Sequence, residues 1–172
     1  RNLTVLEDAA KLVRKRLPDF TVESIPEDDA ATFEMISAGH TSGVFQLEST
    51  GITGVCTSLR PKSIEDITAV IALYRPGPMD SIPRFVENKH NPDKVTFDHP
   101  LLKPILEQTY GCIVYQEQVM KIVQSLAGYT LGQADMVRRM MGKKKVAEMA
   151  KEEEVFVNGK KETVDEHGRV SR

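Results

Sequence analysis

A mainly α-helical fold is what this sequence predicts, and three observations predict it. Apolar residues recur at helical spacing in most of the patterned stretches, as in a helix that buries one stripe. Ser and Thr cap signals stand in front of those stretches, and prolines or glycines stand behind them. Period-two alternation, the signature of a strand, is confined to 43–48, so at most a few short strands are expected.

The elements follow in chain order. Thr4 followed by Glu7 reads as a capping box, and Val5, Ala9, Leu12 and Val13 recur at helical spacing. A helix over 4–16 is expected, stopped by Pro18. The polar, acidic stretch 19–29, interrupted by Pro26, reads as a connector, and a second helix is expected over 30–38. The segment Gly43-Val44-Phe45-Gln46-Leu47-Glu48 is compatible with a short strand or with the lead-in to a helix. If it is extended, Gln46 and Glu48 share one face. No regular element is assigned from there to Ser63.

Ser63-Ile64-Glu65-Asp66 is an N-cap signal for a helix whose stripe is Ile64, Ile67, Val70, Ile71 and Tyr74. Arg75-Pro76-Gly77-Pro78 ends it. The span 79–99 reads as loop, with a turn at Asn91-Pro92-Asp93. A short helix over 101–107 carries Pro104 in its first turn. A stronger one over 117–126 has Val119, Met120, Ile122 and Val123 apolar and Gly128 as its stop. Thr130 caps a helix running to Gly142, and a last helix over 144–157, carrying lysines, ends at Gly159. Beyond Gly159 the chain is polar and aperiodic and is expected to fray.

Composition bounds the function classes. The 172 residues, 40% apolar and 28% charged, suffice for one ordinary domain with a core and exclude disorder throughout. No run approaches the roughly 18 apolar residues of a membrane span, and no secretory signal opens the chain. A start at Arg1 implies a piece of something longer. Cys56 and Cys112 form no CxxC pattern, so neither a zinc site nor a disulfide is indicated, and reduced intracellular thiols are expected. There is no GxxxxGK[ST] phosphate loop, no HExxH, no nucleophile motif and no metal-ligand spacing among the histidines. Asp66, Asp80 and Asp98 are isolated, so a two-metal catalytic site cannot be assembled.

What does stand out is Arg138-Arg139-Met140-Met141-Gly142-Lys143-Lys144-Lys145, five cations in eight residues of a chain with formal net charge -2. On the helix, Ala134, Val137, Met140 and Met141 form the apolar stripe. Arg138 lies about 100° from Val137 and flanks it, while Arg139 points further toward solvent. One reading is a solvated helix with Asp135 and Arg139 paired at i,i+4. The other is phosphate binding, because an arginine fork matches phosphate oxygens and lysines add point charge. Tyr74 and Arg75 stand at a helix end fixed by prolines, either as a structural stop or to present Arg75 to a phosphate or base. Gln116, Glu117 and Gln118 open the next helix as a polar first turn.

The chain resembles a known family at four places. These are Gly43-Val44-Phe45-Gln46-Leu47-Glu48-Ser49; Ala72-Leu73-Tyr74-Arg75-Pro76-Gly77-Pro78; Thr109-Tyr110-Gly111 running into Val114-Tyr115-Gln116-Glu117-Gln118-Val119-Met120; and Ala127-Gly128-Tyr129-Thr130-Leu131-Gly132 leading to Ala134-Asp135 and the basic octet. In this order and spacing they are similar to the bacterial replicative DNA polymerase III alpha subunits, the C-family polymerases. The match covers residues 1 to about 159, and the opening Arg1-Asn2-Leu3-Thr4-Val5 looks like the segment just after the family's third palm aspartate.

The resemblance implies the helical fingers domain of such a polymerase, part of a larger multidomain protein. It implies a palm/fingers border over 1–35, a partial fingers domain over 36–159 and an unassigned tail over 160–172, which departs from the family pattern. In the family the fingers contact the incoming deoxynucleoside triphosphate (dNTP). Carried over by position, Arg138 and Arg139 are dNTP-phosphate contacts. Arg75, Lys143, Lys144 and Lys145 are nucleotide or DNA-backbone contacts, and Tyr74, Gln116, Glu117 and Gln118 line the pocket. Mg2+ is expected on palm aspartates outside this chain, so the fragment alone should be inactive. Primer-template DNA, dNTPs, the sliding clamp and other replisome subunits are the implied partners, in the bacterial cytoplasm and away from membranes. The alternative is a non-enzymatic helical nucleic-acid-binding module.

Overall fold

Nine α-helices joined by short 3-10 turns make up most of the computed structural model, which describes residues 2–143 and 145–159 and the backbone of 163–164 and 170–171. Two strands of two residues each, β1 (Thr163–Val164) and β2 (Val170–Ser171), pair antiparallel with Thr163 opposite Ser171. The mainly α class with a trace of strand is thus observed. Otherwise the expected tail lies outside the described residues. The chain divides into two compact units, 1–68 and 69–172.

In the first unit, α1 (Asn2–Arg14) begins ahead of the expected Thr4 cap, so Thr4 sits inside the helix and caps nothing. Of its apolar residues only Ala10 is buried; Val5 and Leu12, read as stripe, are 64% and 62% exposed. Periodicity marks a face that a helix can bury, but the burying surface must come from elsewhere. In α2 (Ala30–Ser37) the Asp29 carboxylate accepts from Thr32 N at 2.8 Å, and Phe33 and Ile36 point inward. Residues 43–48 form turns, with Gln46 at φ 64°, so the helix lead-in is realised and the strand is not.

That lead-in opens α3 (Thr50–Leu59), a helix to which the sequence reading gave no bounds. Two glycines and several hydroxyl residues give it poor propensity. Tertiary burial of Ile52, Cys56 and Leu59, spaced i, i+4, i+7, overrides that. The hydroxyls are accommodated by back-bonding: Thr57 Oγ1 donates to Thr53 O at 3.0 Å and Ser58 Oγ to Gly54 O at 2.9 Å. Thr41 and Thr53 join hydroxyl to hydroxyl at 2.7 Å, tying the turns to the helix.

The expected cap at Ser63 is present at the start of α4 (Ile64–Leu73). Asp66 N donates to Ser63 Oγ at 3.3 Å, and the Asp66 carboxylate accepts from Lys62 N at 2.8 Å. The buried face differs from the expected one. Asp66, Ala69, Val70 and Leu73 are buried while Ile64 is 47% exposed. With apolar residues around much of this helix, the packing partner selects the face, and spacing alone does not.

In the second unit, α5 (Ile82–His90) replaces the expected loop. Pro83 falls in its first turn, where a missing N–H costs nothing. The buried Phe85 meets Tyr110 edge-on at 5.3 Å between ring centres, and Asn88 Nδ2 donates to Tyr110 O at 2.7 Å. The short α6 (Lys103–Leu106) carries Pro104 early, as expected. It is followed by α7 (Gln116–Ala127), closed by Gly128 at φ 67°, and α8 (Leu131–Gly142). The last helix, α9 (Val146–Asn158), starts after Lys145, which stands at its N-cap, while Lys143 closes α8. Val123, Ala134, Val137 and Met140 form the core between α7 and α8, with Met149 and Phe156 of α9 packed against it.

Candidate functional site

The N-terminal end of α8 is held by a reciprocal cap. Thr130 N donates to Gln133 Oε1 at 2.8 Å, and Gln133 N donates to Thr130 Oγ1 at 3.4 Å. Burial of Ala134, Val137 and Met140 then sets the rotation of the helix, so Asp135, Arg138 and Arg139 fall together along its flank. Met141, read as part of the stripe, is 41% exposed.

The two arginines share one carboxylate. Arg138 Nε and Nη2 both donate to Asp135 Oδ1, at 2.8 and 2.7 Å. Arg139 Nη2 reaches Asp135 Oδ2 at 2.6 Å. The i,i+4 pair read from the sequence is present, joined by a second arginine at i+3. The hydrogen bond from Arg138 is the largest influence holding the Asp135 carboxyl below the usual carboxylate range; burial, the next largest, opposes it, and the charges of both guanidiniums add to the lowering. Arg139 keeps 67% of its side chain exposed, so the pairing orients the guanidiniums more than it stabilises the fold.

A contact from another helix completes the arrangement. Arg138 Nη1 donates to Gln116 Oε1, the first residue of α7, at 2.9 Å. The structure therefore brings together three residues nominated from the sequence, Arg138, Arg139 and Gln116, with Asp135 as the common acceptor of the two arginines and Gln116 as a second acceptor for Arg138. That a glutamine 22 positions away takes the other edge of Arg138 had no sequence signal; the carboxylate had one, in its i,i+3 and i,i+4 spacing.

The other nominated residues divide. Glu117 is exposed in the first turn of α7. Gln118 is buried, and its side chain is fully engaged in building the turn ahead of α7, so it faces the interior rather than a solvent-accessible pocket. Its Oε1 accepts from Val114 N and Tyr115 N at 2.8 and 2.9 Å, and its Nε2 donates to Thr109 Oγ1 and Ile105 O at 2.8 and 3.1 Å. Tyr74 is half-buried and Arg75 exposed, just beyond α4. Among the described residues no hydrogen bond or ion pair joins Arg75 to the α8 group. Lys143 is exposed at the end of α8, Lys145 pairs with Glu148 at 2.6 Å, and Lys144 lies outside the described residues.

A cavity of about 550 Å3 opens between α7, α8 and α9, but none of these cations lines it. Its walls are Val123, Val137, Met140 and Phe156, with Glu152 and Glu153 as its charges, a surface that suits no polyanion. The paired guanidiniums sit instead on the Asp135 flank of α8.

In sequence, the chain is similar to known proteins. The family described as bacterial DNA polymerase III alpha subunit finger domain matches residues 2–164. The chain is 52% identical over 162 residues to a DNA polymerase III subunit alpha of Caulobacter vibrioides, and 48% identical over 168 residues to that of Thermus aquaticus. It is 45% identical over 163 residues to the Staphylococcus aureus protein of the same name. Each alignment covers 94% of this chain but only 14–15% of the relative, so the chain spans a small part of the proteins it matches. With nearly all of its length matched in sequence, and with the helical architecture described above, the chain belongs to the bacterial DNA polymerase III alpha subunit finger domain family.

Proposed function

We propose that this chain is the fingers portion of a DNA-templated DNA polymerase, in which Arg138 and Arg139 bind the triphosphate of the incoming dNTP and position it for nucleotidyl transfer. The observation that carries the reading is the convergence of two guanidiniums, from one capped helix, on a single two-oxygen anion. A phosphate group offers the same kind of acceptor with greater charge. Phosphoryl transfer depends largely on positioning and charge stabilisation, so such a pair contributes without forming a bond.

Arg75 and the lysines at 143–145 would add nucleotide or DNA-backbone contacts around this pair. Among the described residues no three His, Cys, Asp or Glu side chains come together to hold a metal ion. On this reading Mg2+ belongs to palm aspartates outside the chain, and the fragment alone is inactive. Primer-template DNA and dNTPs are the substrates. The sliding clamp and other replisome subunits are partners of the longer protein, which acts in the cytoplasm; no described helix is long and apolar enough to cross a membrane.

The test is Arg138→Ala in the full-length polymerase. Loss of a charge-assisted contact should raise the dNTP KM by about 10- to 100-fold, or lower kcat comparably, while primer-template affinity stays near the parent value. A uniform loss of DNA affinity with a reduced salt slope would identify instead a helical module that tracks the nucleic-acid backbone.

A further inference from the structure

We infer that Gln116 and Asp135 are positioning residues for the arginine pair, acting through Arg138 and not on the nucleotide itself; this rests on the reading of Arg138 and Arg139 as triphosphate contacts. An arginine side chain is long and rotates freely, and binding an anion requires that it be held in one orientation. Arg138 has five N–H groups. Three are taken: Nε and one N–H of Nη2 by Asp135 Oδ1, and one N–H of Nη1 by Gln116 Oε1. One N–H on each terminal nitrogen is left for an incoming oxygen.

The two anchors come from different helices, so the guanidinium is fixed from two directions. Gln116 is itself held in place. Two residues further on, Gln118 ties the start of α7 to Ile105 and Thr109 through its buried amide. Asp135 is held on α8 by the reciprocal cap one turn earlier. Gln116 is also neutral, so it orients Arg138 without cancelling its charge. A carboxylate at both anchors would orient equally well but leave the fork poorly attractive to phosphate. Asp135, shared between two arginines, leaves the group with a net positive charge.

The experiment is a double-mutant cycle in the full-length polymerase, with Gln116→Ala, Asp135→Ala, Arg138→Ala and the two doubles that include Arg138→Ala. It reads dNTP KM, kcat, primer-template affinity and thermal midpoint. Gln116→Ala and Asp135→Ala are each expected to raise dNTP KM by about three- to tenfold with primer-template affinity unchanged. In the Arg138→Ala background neither should add anything, because the residue through which they act is gone. Asp135→Glu, which keeps the carboxylate, should recover part of the loss.

Full additivity in the Arg138→Ala background overturns the inference, as does a lowered KM in Asp135→Ala, which would make Asp135 a competitor for the site. If Arg138→Ala raises KM while Gln116→Ala and Asp135→Ala do not, positioning fails and the triphosphate reading stands. If Arg138→Ala leaves both KM and kcat unchanged, the triphosphate reading fails and the inference falls with it.

Discussion

At the residue scale, the chain shows how little the polarity of a side chain says about where it faces. Gln116, Glu117 and Gln118 read alike as a polar first turn, yet one orients an arginine, one is exposed, and one is buried with its amide fully hydrogen-bonded. Each successive residue turns about 100° around the helix, and packing selects which of the three faces inward. Tyr129 makes the complementary point. Its hydroxyl is buried without a hydrogen-bond partner; burial first, and then the Glu152 carboxylate, push its pKa up to about 12. Glu152 lies close enough to raise that value without accepting a well-formed bond. A folded-state pKa above the ordinary 10.0 means that the neutral phenol is favoured. Its contribution to stability is therefore fully present below pH 10 and lost as pH rises through about 12. Absorbance titration should show a late-ionising tyrosine signal that disappears in Tyr129→Phe. The same substitution, by removing an unpartnered buried hydroxyl, should leave urea stability unchanged or raise it by up to about 1 kcal/mol.

At the element scale, legibility follows punctuation. The helices with strong caps and stops, α7 and α8, were readable nearly to the residue, because Thr130, Gln133 and Gly128 act through local hydrogen bonds and backbone conformation. Thr130→Ala is accordingly expected to cost about 1 kcal/mol in denaturant unfolding, with Thr130→Ser close to the parent. The elements that escaped are those whose local signals point the wrong way. Glycines and threonines disguise α3, although Ile52, Cys56 and Leu59 carry helical spacing. A polar composition and an early proline disguise α5, which depends on the burial of Phe85. The face of α4 was misjudged for a related reason: isoleucines at several angles leave rotation undetermined until a neighbour packs against it.

At the scale of the whole molecule, two compact units each bury one free cysteine, Cys56 in 1–68 and Cys112 in 69–172. Burial pushes both thiols up from their ordinary value, with Arg84 opposing it weakly at Cys112. Iodoacetamide should therefore modify neither in the folded chain near neutral pH, and pulsed alkylation across a urea series should report the opening of each unit through its own cysteine. Rapid labelling of either thiol without denaturant would contradict the packing described here. Taken alone, the sequence determined the helical class, the boundaries of its well-capped helices, the family, and the arginine pair as the place to look for an anion. All of these rest on interactions between residues a few positions apart, or on motif order along the chain. Only the tertiary structure decided which helix faces are buried, that Gln118 turns inward, and that Gln116 and Asp135 hold Arg138 between two helices. The Gln116–Arg138 pairing joins residues 22 positions apart, and it exists, like the buried faces, only once packing has set the rotation of each helix against its neighbour.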